Sequence, residues 1–287
     1  MPRHRIKVGQ ALSRNLTVLG IVDAESTNPV YLVWHHRAWC PMACKLFDSM
    51  SQARREATVL RTFQHPNIVR CLGVAQPGCM LMDFLEGPTL RRLIRDTTPG
   101  RLSLSNALRV GIYLGSALIH MHSQGYLHLD VKPANVIVYR GRPVLFDVGL
   151  AERRSPKRVK YLIGTDPYMS PEQCQRLALT PASDVFGLGV TLYQALVGKR
   201  PFPDGRGRNP FPQTKIAATP LRHHLPRAPR GLDDLIQACL SRAPEERPAL
   251  TRLLPALHGF ITTGPKMWPA GFEPLGYGNP GSQPVSG

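Results

Sequence analysis

Asp130, Lys132 and Asn135 lie close together in "HLDVKPANVIV" (128–138), and a further acid, Asp147, follows in "LFDVGLAE". An acid, a base and an amide between two apolar runs can be no more than a capped turn, the usual reading of a single Asp or Asn in such a place. Asp147 argues for more. "VIVY" and "PVLFD" flank "RGR" as a hairpin, which returns the chain beside its own start and lets Asn135 and Asp147 approach each other. Two oxygen donors at that separation suit Mg²⁺, which takes few protein ligands and shares the rest with phosphate and water. Asp130 is then left to orient or deprotonate an attacking hydroxyl.

The elements that must position these groups are legible in outline. "PVYLVW" (29–34) and "MACKLF" (42–47) are short apolar runs suited to strands. "DSMSQARREATVLRTF" (48–63) has helical spacing, with Ala53, Ala57, Leu60 and Phe63 near one face, and "HPNIV" ends it. "CMLMDFLEGPTL" (79–90) reads as a strand and then a Gly-Pro break. An amphipathic helix follows through Leu104, Leu108, Gly111, Leu114, Leu118 and Met121, stopped at Gly125. "SDVFGLGVTLYQALVG" is apolar nearly all round and predicts a buried core helix.

Composition narrows the class. The chain has 287 residues, is 43% apolar, and carries 36 Lys+Arg against 19 Asp+Glu for a formal charge of +17. It can bury a large core. No apolar run reaches the roughly 18–20 residues of a membrane span, and the start lacks the apolar core of a secretory signal. The cytoplasm is the expected location. The charge suggests acidic partners, yet no nucleic-acid-binding motif accompanies it, so nucleic acid is not the expected ligand. The six cysteines form no CxxC pair and read as buried hydrophobes rather than metal ligands. The formal G-x-G-x-x-G in "GYGNPG" has no strand before it and a proline inside it, and reads as accidental.

Taken together and in order, these motifs resemble those of the eukaryotic-type serine/threonine protein kinases, most closely the bacterial members. The family's H-R-D-x-x-x-x-N and D-F-G elements stand here as His128-Leu129-Asp130 with Asn135, and as Asp147-Val148-Gly149. The likeness spans about residues 8 to 260. It implies an α+β, two-lobed fold: a small β-rich lobe with one main helix (1–82), a hinge (83–86) and a larger, mainly helical lobe (87–260). The Gly/Pro-rich remainder (261–287) is expected to be disordered or loosely attached.

The resemblance also assigns roles. Lys45 looks like the strand lysine that holds the α- and β-phosphates of ATP, and Glu56 like its helix partner. An unpaired ammonium inside an apolar strand would be costly, which a partner relieves. Asp83 to Leu85 look like the backbone that hydrogen-bonds adenine, with Met82 guarding the inner pocket and Val30, Ala43 and Ile137 sandwiching the base. Asn135 and Asp147 would hold Mg²⁺. Glu172 in "GTDPYMSPEQ" and Arg247 would form a buried pair anchoring the activation segment. Asp184 would fix the catalytic loop's backbone. Lys132 and Thr165 resemble the pair found in Ser/Thr-specific members, Lys132 also steadying the γ-phosphate.

Three departures matter. The phosphate-covering G-x-G-x-x-G is reduced to Gly20 in "LGIVDAESTNPVYLV", with Asp23, Glu25 and Asn28 in its region. A carboxylate there repels phosphate, at a cost on the order of 1 kcal/mol. Leu129 replaces the Arg that receives an activation-segment phosphate, which implies activity without such phosphorylation. Val148 replaces the Phe after the metal-binding Asp. The resemblance therefore implies transfer of the ATP γ-phosphoryl group to a protein Ser or Thr hydroxyl. The alternative is a pseudokinase that signals by binding, and further rivals are a small-molecule kinase and a basic nucleic-acid binder. The basic segment "ERRSPKRVKY" (152–161) suggests an acidic substrate and makes Ser155 a candidate autophosphorylation site, although a solvated loop would look the same.

Overall fold

The computed structural model describes residues 6–23, 27–207 and 209–261. Glu25, the motif in "GYGNPG" and the tail beyond Ile261 lie outside the described residues. The first lobe is a six-stranded antiparallel sheet, β1 (Ala11–Ser13), β2 (Leu16–Asp23), β3 (Val30–His35), β4 (Cys40–Leu46), β5 (Cys71–Ala75) and β6 (Cys79–Asp83), in the order β1-β2-β3-β4-β6-β5. The helix α1 (Met50–Arg61) crosses between β4 and β5. Ser49 starts it, accepting the Gln52 N–H at 3.3 Å. That cap moves the helix start two residues inside the expected 48–63 span.

Strand alternation gives the sheet two faces. Cross-strand partners Val30↔Lys45, Leu32↔Ala43, Ala43↔Met82 and Lys45↔Met80 share one of them. Tyr31, Val33, Met42, Cys44 and Leu81 point the other way, into a separate apolar cluster with Leu16 and Val18. The first face turns toward α1, whose buried stripe is Ala53, Ala57 and Leu60. Glu56 falls on that stripe at helical spacing, so the same pattern that buries α1 aims its carboxylate at Lys45.

Beyond residue 83 the chain is mainly helical: α2 (Leu90–Asp96), α3 (Leu104–Ser123), α4 (Pro171–Cys174), α5 (Pro181–Val197), α6 (Leu221–His224), α7 (Arg230–Cys239) and α8 (Leu250–Gly259). Short strands β7 (Tyr126–Leu127), β8 (Val136–Tyr139), β9 (Arg142–Leu145) and β10 (Glu152–Arg153) carry the polar motifs. The helix α5 is buried along nearly its whole length, and α3 packs against both α5 and α8. Leu108, Leu114, Leu118 and Leu192 are fully buried there, each contributing about 1.5–3 kcal/mol. The hairpin β8–β9 turns on Arg140–Gly141, both at positive φ (48° and 76°), so the loop is two residues and Arg142 already belongs to β9.

Candidate active site

Lys45 lies buried on β4 and donates to Glu56 Oε1 at 2.6 Å and to Asp147 Oδ1 at 2.9 Å. Burial would lower the ammonium's pKa, but the two carboxylates overcome it and hold Lys45 above its usual value. Burial pushes Glu56 above the usual carboxylate range, with Lys45 offsetting part of the rise and Asp147 adding to it. Burial also opposes ionisation of Asp147, yet Lys45 and the Gly149 N–H, which donates to its Oδ1 at 3.0 Å, keep it below that range. A Cβ at Gly149 would lie 3.1 Å from Asp147 Oδ1, 3.1 Å from Glu56 Oε2 and 3.3 Å from Lys45 Nζ. The missing side chain is what leaves this polar corner open.

The hairpin delivers Asp147 beside Asn135. Val136 pairs with Leu145, and the Phe146 N–H donates to the Asn135 carbonyl at 3.2 Å. Asn135 gives its amide N–H groups to the Asp130 carbonyl (3.0 Å) and to Asp130 Oδ2 (2.9 Å). Its side-chain oxygen is left as an acceptor. Asp130 is buried and receives two more donors, Lys132 at Oδ2 (2.7 Å) and the Thr165 hydroxyl at Oδ1 (2.6 Å). Lys132 also reaches Thr165 Oγ1 at 2.5 Å.

The backbone carrying Asp130 is fixed from below. Asp184, fully buried on α5, accepts the His128 N–H at 2.9 Å and the Leu129 N–H at 2.7 Å, and pairs with His122 Nε2 at 2.7 Å. Burial opposes its ionisation, but the His122 contact and the nearby His128 hold its pKa down. Leu129 adopts φ +64°, which costs a side-chain-bearing residue roughly 1–2 kcal/mol. The two bonds to Asp184 hold it there.

Glu172 and Arg247 form a two-pronged pair, Nη1 to Oε1 at 2.6 Å and Nη2 to Oε2 at 2.8 Å, with both side chains buried. Burial works against the carboxylate, but Arg247 and the Ser183 hydroxyl keep Glu172 below the usual range. Sequence reasoning did not find Gln173 and Gln213. Gln173 Nε2 ties the Leu129 carbonyl (2.9 Å) to that of Ile163 (2.8 Å), and Gln213 Nε2 holds those of Asp166 (2.8 Å) and Met169 (3.0 Å). Ser170 with Gln173 reads as a capping box, so the helix start was visible in sequence but the long-range contacts of that amide were not.

Val30, Ala43 and Ile137 are half-buried and Met82 is buried. Asp83 spends its N–H on the Arg70 carbonyl (3.1 Å) and its carboxylate on the Arg70 guanidinium, so an adenine contact from Asp83 is left to its carbonyl. Val148 is buried in the main core. Leu129 packs with Leu127, Ile163 and Leu179, flanked by Val159. Ser155 and the basic side chains around it are exposed.

Comparison with known proteins identifies the family and the fold. The family described as "Protein kinase domain" matches residues 26–257. The chain belongs to the protein kinase domain family. Among curated relatives, the serine/threonine-protein kinase PkaA of Streptomyces coelicolor is 32% identical over 216 residues, 72% of this chain and 39% of PkaA. PknA of Mycobacterium tuberculosis is 29% identical over 262 residues, 84% of this chain and 60% of PknA. PrkC of Bacillus subtilis is 26% identical, over 84% of this chain and 39% of PrkC. The chain thus spans less than two thirds of the length of each. The crystal structure of the Mycobacterium tuberculosis PknI kinase domain superposes with a TM-score of 0.70 at 23% identity, covering 89% of this chain and 99% of that one, and shares the fold. Among the described residues no helix is long and apolar enough to cross a membrane.

Proposed function

We propose that this chain is an ATP-dependent protein serine/threonine kinase, with residues 83–86 as the hinge between its lobes, acting in the cytoplasm, where ATP is supplied. The observation that carries this reading is the Asp130–Lys132–Thr165–Asn135 network: a buried carboxylate aimed by three donors, two from its own loop and one from the distant residue 165. A turn stabilised for its own sake needs no hydroxyl drawn in from residue 165.

The residues fit Mg²⁺ and nucleotide. One ammonium faces two carboxylates at Lys45, the Gly149 corner is open, and Asn135 keeps an acceptor oxygen beside Asp147. Asn135 and Asp147 would hold the ion, whose chemistry when bound is to bridge and neutralise phosphate oxygens. Lys45, placed by Glu56, would hold the α- and β-phosphates, and Lys132 would steady the γ-phosphate. Asp130 would accept a hydrogen bond from the incoming Ser or Thr hydroxyl at Oδ1, the position Thr165 now shares. As the new P–O bond forms and the bond to ADP breaks, the hydroxyl proton passes to Asp130. The segment held by Gln173, Gln213 and the Glu172–Arg247 pair suits a protein acceptor rather than a small molecule, and exposed Arg154, Lys157, Arg158 and Lys160 favour an acidic one.

The test is transfer of radiolabelled phosphate from Mg-ATP to acidic and basic protein acceptors, with magnesium-dependent nucleotide binding by calorimetry. Transfer lost in Lys45→Met supports the reading. Binding without transfer would make the chain a pseudokinase, and no binding at all would leave only the fold.

A further inference from the structure

Two histidines hold the loop 62–70, which leaves α1 and enters β5. On one side the loop is spliced onto β9. The buried Asn67 donates its amide to the Pro143 carbonyl (2.8 Å) and accepts the Leu145 N–H at its own carbonyl (2.9 Å), and the Val69 N–H reaches the Leu145 carbonyl (2.8 Å). Leu145 is two residues before Asp147, and α1 carries Glu56, so this loop ties together the elements that bring both carboxylates to Lys45. On the other side the loop rests on α3. His65 stacks on His120, with ring centroids 5.5 Å apart and 29° between the planes, and Phe63 meets the His120 ring edge-on.

The donors around these rings fix where their protons sit. The Asn67 N–H points at His65 Nδ1 (3.1 Å) and the Gln64 N–H at His120 Nε2 (3.1 Å). A backbone N–H only donates, so both of these nitrogens are unprotonated acceptors. The His65 proton is therefore on Nε2, against Ser116 Oγ at 3.1 Å, and the His120 proton is on Nδ1. Both rings are neutral in this arrangement. A second proton on either ring can enter only at the nitrogen that the backbone is using.

The surroundings oppose that second proton. Burial, His120 on α3 and Arg142 on β9 hold His65 below the usual histidine value. Arg61, at the end of α1, and Arg70 and Cys71 line the same pocket wall as His65. Asp83 is paired with Arg70, and Glu56, which acts on Cys71, is paired with Lys45.

We propose that the His65–His120 stack is a pH-sensitive clasp, closed while both rings are neutral and opened on acidification, when protonation releases the loop 62–70 from α3. A proton on His120 Nε2 removes the acceptor from the Gln64 N–H. A proton on His65 Nδ1 removes the acceptor from the Asn67 N–H and sets a cation against the second ring. Because the folded value of His65 is lowered, its contribution is complete above the ordinary histidine value and is lost as pH falls through the lowered one. On the kinase reading, on which this consequence rests, opening the clasp loosens Glu56 and Asp147 from Lys45 and slows phosphoryl transfer.

Hydrogen exchange on the full chain reads the clasp without reading catalysis, so its failure is separate from a failure of the kinase assignment. After correction for the intrinsic pH dependence of exchange, the Gln64 and Asn67 amides of the wild type are expected to lose about tenfold in protection between about pH 7.5 and about pH 5. His65→Asn keeps an acceptor for the N–H two residues on, and His120→Gln keeps one near the position of Nε2, yet neither amide takes a proton. In that double variant the loss should fall below about twofold. Equal protection at both pH values in the wild type overturns the proposal. So does a loss as large in the double variant as in the wild type, which would assign the effect to another group such as Glu56. Nitrogen NMR of the wild-type imidazoles needs no variant. Unprotonated His65 Nδ1 and His120 Nε2 near neutral pH are expected, and the opposite tautomer on either ring, or both rings still neutral at about pH 5, also overturns it.

Discussion

Two of the carboxylate–cation clusters among the described residues, Glu172–Arg247 and Lys45 with Glu56 and Asp147, are built to opposite plans. At Glu172–Arg247 the charges balance one to one. All five guanidinium N–H groups are used, two on Glu172 and three on the carbonyls of Ser241, Ala182 and Arg242. At Lys45 one ammonium serves both Glu56 and Asp147, and Asp147 keeps 37% of its side chain exposed. The first cluster is satisfied and closed. The second carries surplus negative charge and an open corner. The pKa directions follow: Glu172 is held below the usual carboxylate range while Glu56 is pushed above it. A locked joint completes its bonds internally, whereas the proposed cation site leaves a charge uncompensated.

The largest expected effects fall on the open side. Asp130→Asn should lower the phosphoryl-transfer rate by about 10²–10⁴-fold, read by radiolabel transfer, with calorimetry at the assay temperature showing that the variant is folded. A variant that transfers at the wild-type rate would remove Asp130 from the chemistry. On the closed side the effect is on stability. Glu172→Gln should cost about 3–5 kcal/mol, because Arg247 is left buried and unpaired. Denaturant titration measures it, and a loss below roughly 1 kcal/mol would show the joint to be dispensable.

Acidity separates the two clusters by sign. Glu56 is raised in the folded state, so its contribution is present below the ordinary carboxylate pKa and lost as pH rises through the raised value. Glu172 is lowered, so its contribution is present above the ordinary value and lost as pH falls through the lowered one. Between about pH 7 and pH 3, the stability of wild type minus Glu56→Gln should rise on acidification, and that of wild type minus Glu172→Gln should fall. Parallel slopes would erase the contrast. The smallest effect belongs to an exposed pair used as a control. Arg70→Ala, whose side chain is 74% exposed against Asp83, should change stability by less than about 1 kcal/mol.

Much of this was legible in the sequence where one pattern had to serve both packing and chemistry. The helical spacing of Ala53, Ala57 and Leu60 marked the buried face of α1, the resemblance put Glu56 opposite Lys45, and the apolar runs around "RGR" placed Asp147 beside Asn135. What stayed hidden depended on distant partners. The β2 strand was not foreseen because its outer residues Leu19, Ile21 and Val22 are exposed, which breaks the alternation that identifies a half-buried strand. Gln173 and Gln213 act through backbone carbonyls far along the chain, and nothing local marks an amide for such contacts. The turn at Arg140 shows the same limit, since an arginine there gives no sign of positive φ.

Leu129 carries one more consequence. At Leu129 itself the contact between the loop bearing Asp130 and the segment bearing Ile163 is hydrocarbon, closed by Gln173 bridging the carbonyls of both residues, while Thr165 adds polar bonds to Asp130 and Lys132 beside it. The hydrocarbon contact does not weaken as ionic strength rises. It also offers a phosphatase no group to remove, so the proposed catalytic arrangement would persist for as long as the chain stays folded.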